Sequence, residues 1–386
     1  MKILLVTYGL NTIGGVQTWQ HLFVHELLKR GHDITIAEMY DYSKTQPDKA
    51  VIRSWDERLR IVHRNGPVVQ RGVNPKTNVA AFKVVTNVFD KYKLDRFVKD
   101  EKFDSILFTD PNFPFFFFPS TVRNNNCFVQ FHSSFARFKT TSRLRYLLTK
   151  KVYHRYRQFI FLSNGDMEEA VANGFDRAKV TYMNNFINEA KFGCNEIEQN
   201  GRIPQILVVG NLDHSEKQVD HVIKAFSRVA PALRAGWSLK IIGDGRFKEG
   251  LMQLSKDLGI GEQVNFPGKK NNPAKDFFES SFYVLSSSFE GFPLTLLECV
   301  YTNLPAIAYD CSPSIGEVIK HEHNGLLVEK NNIDGLSAAM SRLIAEPSLL
   351  DRMAENLNEV KCAYSINSTI KRWETLLSSS HTLVHA

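Results

Sequence analysis

Between residues 286 and 300 the chain reads SSSFEGFPLTLLECV. The apolar run that leads into it, FYVLSSS (282–288), has the length and composition of a buried strand. Gly291 permits a close approach of the backbone, and Pro293 suits the first position of a new helix. The amides of Leu294, Thr295 and Leu296 would then open that helix as a ready anion site. Two carboxylates flank the turn: Glu290 lies on it, and Glu298 follows roughly 7–8 Å into the helix at ~1.5 Å per residue. Glu298 stands among Leu296, Leu297, Cys299 and Val300, where a carboxylate needs a hydrogen-bond donor. Hydroxyl-rich ligands supply such donors, sugar hydroxyls for Glu290 and ribose hydroxyls for Glu298. The plainer alternative, in which Glu298 reaches solvent or caps a neighbouring helix, stays open.

On either side of this stretch the same unit recurs. QILVVGN (205–211), SLKIIGDG (238–245), QVNFPG (263–268), PAIAYD (305–310) and GLLVEK (325–330) read as strands separated by helix-length segments. An earlier series runs KILLVTY (2–8), DITIAEM (33–39), LRIVH (59–63), SILFTD (105–110), CFVQFH (127–132), QFIFLS (158–163) and KVTYM (179–183). Strands alternating with helices predict parallel, doubly wound sheets, two of them in a chain of 386 residues. The expected division is an N-terminal Rossmann-like domain over 1–192, a polar linker over 193–204 and a C-terminal Rossmann-like domain over 205–363. A final helix over 364–386 crosses back to the first domain. In open sheets of this kind ligands settle at the carboxyl ends of the strands, so two facing domains predict a cleft between them.

Composition narrows the partners. Residues 1–195 hold 29 Lys and Arg against 18 Asp and Glu, a balance of +11, while the remainder holds 19 against 23, a balance of −4. No acidic residue lies between Asp110 and Asp166, where nine basic ones occur. The first half therefore suits an anionic partner. RFKTTSRLRYLLTKKVYHRYRQF (137–159) places Leu144, Leu147, Leu148, Val152, Tyr156 and Phe159 at near-helical spacing. Arg143, Arg145, Lys150, Lys151, Arg155 and Arg157 form its other face. Such a helix either packs on its own sheet with a solvated basic face or lies on an anionic membrane surface. Phe113–Phe118 is a short apolar run, expected in the core, and no stretch is long enough to span a bilayer. Five cysteines without a CxxC pair exclude a disulfide framework and point to a reducing cytoplasm. Nucleic acid is not an expected partner, because no recognition module is present.

EGFPLTLLE (290–298), two glutamates with seven residues between them, resembles the donor-site motif of retaining family 4 glycosyltransferases of GT-B architecture. IGG (13–15) resembles the family's N-terminal glycine loop, and FHSS (131–134) the site of its active-site histidine. FLSNGD (161–166), NNFINEAKF (184–192), VGNLDHSEK (209–217), IGDG (242–245) and NGLLV (324–328) resemble further segments in the family's order. The resemblance implies that His132 and Glu290 are catalytic and touch the transferred sugar. Glu298 would hold the ribose, and the backbone of Phe292, Pro293, Leu294 and Thr295 would meet the diphosphate together with Lys217. Gly15, Gly243 and Gly245 would leave room for the donor, Phe266–Lys270 would follow the base, and Gly14 and Gln17 would touch the acceptor. Asn211 stands where the family usually carries an arginine, and Gln218 where a glycine commonly follows the lysine. His214 and Arg246 are candidates to replace the missing charge.

No Asp-x-Asp occurs in the chain, so neither a metal nor any other cofactor is expected. The implied function is transfer of a hexose from a UDP-hexose to a saccharide acceptor with retention. The acceptor would be a lipid-linked, lipopolysaccharide or capsule glycan, and the enzyme peripheral on the inner face of the cytoplasmic membrane. A UDP-sugar epimerase and a non-catalytic nucleotide-sugar-binding scaffold are the rival readings on the same fold.

Overall fold

A computed structural model of the chain describes residues 1–7, 15–39, 59–63, 88–111, 119–141, 143–187, 189–192, 201–213 and 215–379. Gly14, His214, Phe113–Phe118 and most of the expected linker lie outside the described residues. The chain forms two compact units, one of Met1–Asn184 with the segment from Thr369 onward, the other of Asn185–Ser368. The division thus falls at 184/185, ahead of the residue 193 expected from composition, and the return to the first unit falls at 368/369.

The first unit is built on a seven-stranded sheet in the order β3-β2-β1-β4-β5-β6-β7. Its strands are β1 (Lys2–Thr7), β2 (Asp33–Glu38), β3 (Arg60–His63), β4 (Ser105–Phe108), β5 (Cys127–Gln130), β6 (Gln158–Phe161) and β7 (Val180–Tyr182). Every pairing is parallel. β1 and β4 are buried almost throughout, the continuous apolar run of a sheet covered on both faces. One face packs Leu4, Val6, Ile106, Phe108, Val129 and Phe131 into a single core. On the other, the Gln20 amide of helix Gly15–Lys29 donates to the Thr7 hydroxyl at 2.6 Å, and the Ser105 hydroxyl donates to the Leu377 carbonyl at 2.7 Å. The helix Ile366–Ser378 therefore covers this sheet, with Ile370, Trp373 and Leu377 buried at successive turns. Trp373 packs on Phe23 and Trp19, and Glu374 takes His32 at 2.8 Å and Arg30 at 3.2 Å.

The second unit carries a six-stranded parallel sheet, β10-β9-β8-β11-β12-β13. Its strands are β8 (Ile203–Val209), β9 (Ser238–Ile242), β10 (Val264–Gly268), β11 (Ser280–Leu285), β12 (Ala306–Asp310) and β13 (Gly325–Glu329). At its entrance the Arg202 guanidinium donates to the carbonyls of Ser280 (2.6 Å), Thr302 and Asn303 (both 2.8 Å). In both sheets the order reverses beside the first strand, between β1 and β4 and between β8 and β11. Those reversals mark the strand ends where an open α/β sheet holds its ligand.

The basic stretch differs from its expected form. It is two helices, Phe135–Thr141 and Arg143–Val152, followed by a 3-10 turn. Leu144, Leu147 and Leu148, expected on one apolar face with Tyr156 and Phe159, are 60%, 52% and 41% exposed, whereas Tyr146 and Thr149 are buried. The chain turns after Val152, so Tyr156 and Phe159 reach the core without bringing the leucines with them. Among the described residues no helix is long and apolar enough to cross a membrane.

Candidate functional site

In the second unit the strand ends at the sheet reversal are knitted together by main chain. After β8, Gly210 donates to the Ile242 carbonyl and Leu212 to the Asp244 carbonyl, so the turns following β8 and β9 lie against each other. Two glycines make this possible. A Cβ on Gly243 would stand 2.0 Å from the Gly210 oxygen, and one on Gly245, at φ +148°, 2.3 Å from the Asp213 nitrogen. These residues shape the floor of the site by lacking side chains.

Lys217 lies on the 3-10 turn Ser215–Lys217. That turn is clamped to the end of β11: the Ser288 amide donates to the Glu216 carbonyl at 2.7 Å, and the Ser286 hydroxyl lies 2.8 and 2.9 Å from the carbonyls of Lys217 and Gln218. The clamp brings the Lys217 ammonium to 2.6 Å from Glu290 Oε1, with the two side chains 32% and 12% exposed. Two residues singled out from sequence, 73 positions apart, thus form one ion pair. Gln218 follows in the left-handed region, φ 45° and ψ 43°, which gives a physical reason for glycine to be common there.

Pro293 precedes the helix Leu294–Tyr301 as its N-cap, in extended backbone and not at the expected first helical position, and its ring offers the first turn no side-chain acceptor. The expected trio of open amides is reduced, because the Leu296 amide is taken by the Pro293 carbonyl at 3.1 Å. Glu298 is half-buried rather than sunk in the core. Leu296, Leu297, Cys299 and Val300 face inward, and Glu298 occupies the other side of the helix. Phe292 and Pro293 are buried too, so only their main chain is available to a ligand. Thr295 interacts with the Tyr283 hydroxyl, which also donates to the Val209 carbonyl at 3.2 Å; burial pushes the Tyr283 phenol well up.

Asn211, the departure from the family pattern, is exposed, and its Oδ1 accepts from the Asp213 amide at 2.9 Å. Its carbonyl oxygen is therefore committed to shaping the turn. Arg246 donates its amide to Asp213 Oδ1 and lays its guanidinium 4.8 Å over the Phe247 ring. Phe266 is half-buried on β10 and Lys270 is bound to Asp276 at 2.8 Å, so Lys270 is held by a carboxylate of its own unit.

The first unit gathers its candidates on one sheet face. Gly15 is the exposed first residue of its helix and Gln17 is half-buried on the first turn. Gln20, on the next turn, ties that helix to Thr7 and, at 3.3 Å, to Thr109. His132 lies two residues past the end of β5, its ring meeting the Trp19 edge at 4.9 Å. Its Nε2 is enclosed without a hydrogen-bond partner, and burial lowers the imidazole pKa to about 3. The ring is thus neutral at physiological pH, suited to a hydrogen bond and unsuited to carrying a proton. Strand alternation puts Gln130 on the same face, fully buried with both amide atoms unpartnered. The loop is fixed by Asp166, whose Oδ1 accepts from the Phe135 amide at 2.8 Å and whose Oδ2 accepts from Ser163 at 2.5 Å.

Gln20, Gln130, Asp166, Tyr283 and Ser286 escaped the sequence reading. Gln20 is a buried polar residue inside a helix, and the other four are polar residues at or near a strand end, a signal present in the sequence but shared with many ordinary turns. Among the described residues no group of three or more His, Cys, Asp or Glu could hold a metal ion.

Residues 13–191 match the family model described as Glycosyltransferase Family 4, and residues 195–360 match that of Glycosyl transferases group 1. The chain is 35% identical over 172 residues to an uncharacterized glycosyltransferase of Haemophilus influenzae, covering 45% of this chain and 48% of the relative. It is 25% identical over 189 residues to the lipopolysaccharide 1,6-galactosyltransferase of Escherichia coli, 48% of this chain and 51% of that one. The chain spans about half the length of these curated relatives. Among solved structures, the lipopolysaccharide outer core galactosyltransferase WaaB in its apo form aligns with a TM-score of 0.72 at 19% identity, over 98% of this chain and 99% of the other. Anabaena HepE in complex with UDP and glucose aligns with a TM-score of 0.72 at 13% identity, over 98% and 100%. At these identities the structures establish the two-domain GT-B fold.

Proposed function

The chain belongs to the family 4 glycosyltransferases of GT-B fold, and from that premise we propose that it transfers a hexose from a UDP-hexose to a saccharide acceptor with retained configuration. The observation that carries the proposal is the Lys217–Glu290 pair beside the helix that starts at Leu294. A cation and a helix N-terminus suit a diphosphate, and a carboxylate next to them suits the hydroxyls of the sugar attached to it. In the proposed reaction the bond from the anomeric carbon to the phosphate oxygen breaks as the acceptor oxygen bonds to that carbon. The acceptor proton passes to the departing phosphate, whose charge Lys217 and the helix start stabilise. His132, neutral, hydrogen-bonds the sugar, and Glu298 holds the ribose. No metal takes part in this scheme.

A UDP donor is supported by the UDP bound to HepE, and a lipopolysaccharide or other surface glycan acceptor by the Escherichia coli relative. Exposed Leu144, Leu147 and Leu148 beside Arg143, Arg145 and Lys151 support attachment to an anionic leaflet, which fits an acceptor held there. The experiment is nucleotide release from a panel of sugar nucleotides, with and without a membrane lipid extract and with EDTA. Acceptor-stimulated release of UDP that survives EDTA is expected. Sugar conversion without acceptor would replace this reading with an epimerase, nucleotide binding without release would replace it with a scaffold, and rescue by manganese after EDTA would overturn the metal-free scheme.

A further inference from the structure

Two asparagines stand side by side where the chain passes from the first unit to the second, Asn184 ending one and Asn185 beginning the other. Both are buried. The Asn184 side-chain amide donates to the Leu162 carbonyl at 2.9 Å, within the first unit. The Asn185 amide donates to the Phe292 carbonyl at 2.9 Å, within the second. Each therefore holds a main-chain oxygen at the root of a turn that carries site residues.

The Phe292 carbonyl belongs to the peptide bond with Pro293, which has no N–H of its own, so that end of the turn has one fewer main-chain handle. The Asn185 amide provides a handle from 107 residues away. The rest of the anchor closes around it: the Phe292 ring packs on Tyr364 at 5.7 Å, and the Tyr364 carbonyl accepts from the Ile187 amide at 2.9 Å. Asn185 Oδ1 is enclosed with no partner, a cost that an apolar side chain would not carry. Its N–H donation is what the position gains in return. On the other side, Leu162 precedes Ser163 and Asp166, the pair that fixes the Phe135 amide three residues after His132.

We propose that Asn184 and Asn185 are positioning residues, each setting the turn of its own unit: Asn185 that of Glu290 and the helix start, Asn184 that before Asp166. The chain's crossing point thereby fixes both sets of site residues, a role that rests on the donor reading above only for its consequence in nucleotide binding. The test is hydrogen exchange of the full chain as wild type, Asn185→Ala and Asn184→Ala, together with calorimetric titration of UDP. Asn185→Ala should speed exchange over residues 286–296 about ten-fold, leave 131–137 as in wild type, and weaken UDP about ten-fold. Asn184→Ala should do the reverse in exchange and leave UDP affinity within about two-fold. Should either alanine variant fail to fold, Asn185→Ser or Asn184→Ser is read the same way, their hydroxyls being too short to reach the carbonyls. Unchanged exchange over 286–296 in the Asn185 variant, or equal acceleration across the whole chain, overturns the proposal. If wild type shows no UDP binding while the exchange pattern holds, the donor reading fails and the anchoring stands.

Discussion

Replacing Glu290 by glutamine should tighten the grip on a bare nucleoside diphosphate while stopping sugar transfer. The Lys217 ammonium sits 2.6 Å from the Glu290 carboxylate, so a diphosphate that recruits the lysine competes with an acid already in place. Opposite unit charges 4 Å apart attract by about 4 kcal/mol at an effective dielectric constant of about 20. Lys217 is nearly one-third exposed, and solvent and salt screening reduce the net coupling to about 1 kcal/mol. Glutamine keeps the shape and removes the charge, so the UDP dissociation constant should fall about five-fold. Lys217→Met should move it the other way by about ten-fold, through loss of a charge-assisted contact. Isothermal titration calorimetry with UDP on the three proteins, at low and at raised salt, reads both signs, and both effects should shrink as salt rises. If Glu290→Gln weakens UDP as Lys217→Met does, the pair is a scaffold that the nucleotide needs intact, and the competition argument is wrong.

The His132 imidazole, lowered to about 3 by burial, refuses a proton that the unfolded chain binds below its ordinary ~6.5. Its contribution to stability is therefore whole above pH ~6.5 and lost toward pH 3, at up to ~1.4 kcal/mol per pH unit. Urea unfolding of His132→Asn across that range should show a shallower acid slope; an unaltered slope would mean the imidazole is not held neutral by burial. Gln218→Gly, which relieves a left-handed φ of 45° and gives up one exposed hydrogen bond to Asn331, should stabilise the second unit by about 0.5–1 kcal/mol. A lower melting temperature would contradict that. Arg202→Lys cannot reach the carbonyls of Ser280, Thr302 and Asn303 together, and should cost about 2–4 kcal/mol in chemical denaturation. A loss below about 0.5 kcal/mol would show that the clamp contributes little.

Much of the architecture was legible because strand ends in a parallel sheet carry local signatures. The glycine after β9, the proline before the helix at Leu294 and the apolar runs of β1, β8 and β11 each report their own backbone. The site was legible as a set of residues but not as a set of contacts. Lys217 and Glu290 were assigned separate tasks, and their mutual ion pair emerged only when the turn after β8 was seen tied to the end of β11 by Ser286 and Ser288. The leucines at 144, 147 and 148 have the spacing of a packed face, yet the chain's turn after Val152 leaves them in solvent. Periodicity tells which residues share a side of a helix and is silent on what that side meets.

The amino-acid sequence by itself determined the two doubly wound units, the succession of strands along the chain and the turn 290–298 that marks the second unit's candidate site. Those features arise from residues within a few positions of one another, where steric limits and hydrophobic period act directly. Tertiary structure alone decided the partner of Lys217, the neutral state of His132, the half-buried side taken by Glu298, and the anchoring of two turns by Asn184 and Asn185. Most of these depend on groups many residues apart, and chain separation carries no record of which distant carbonyl or carboxylate a side chain will reach once the sheets have closed.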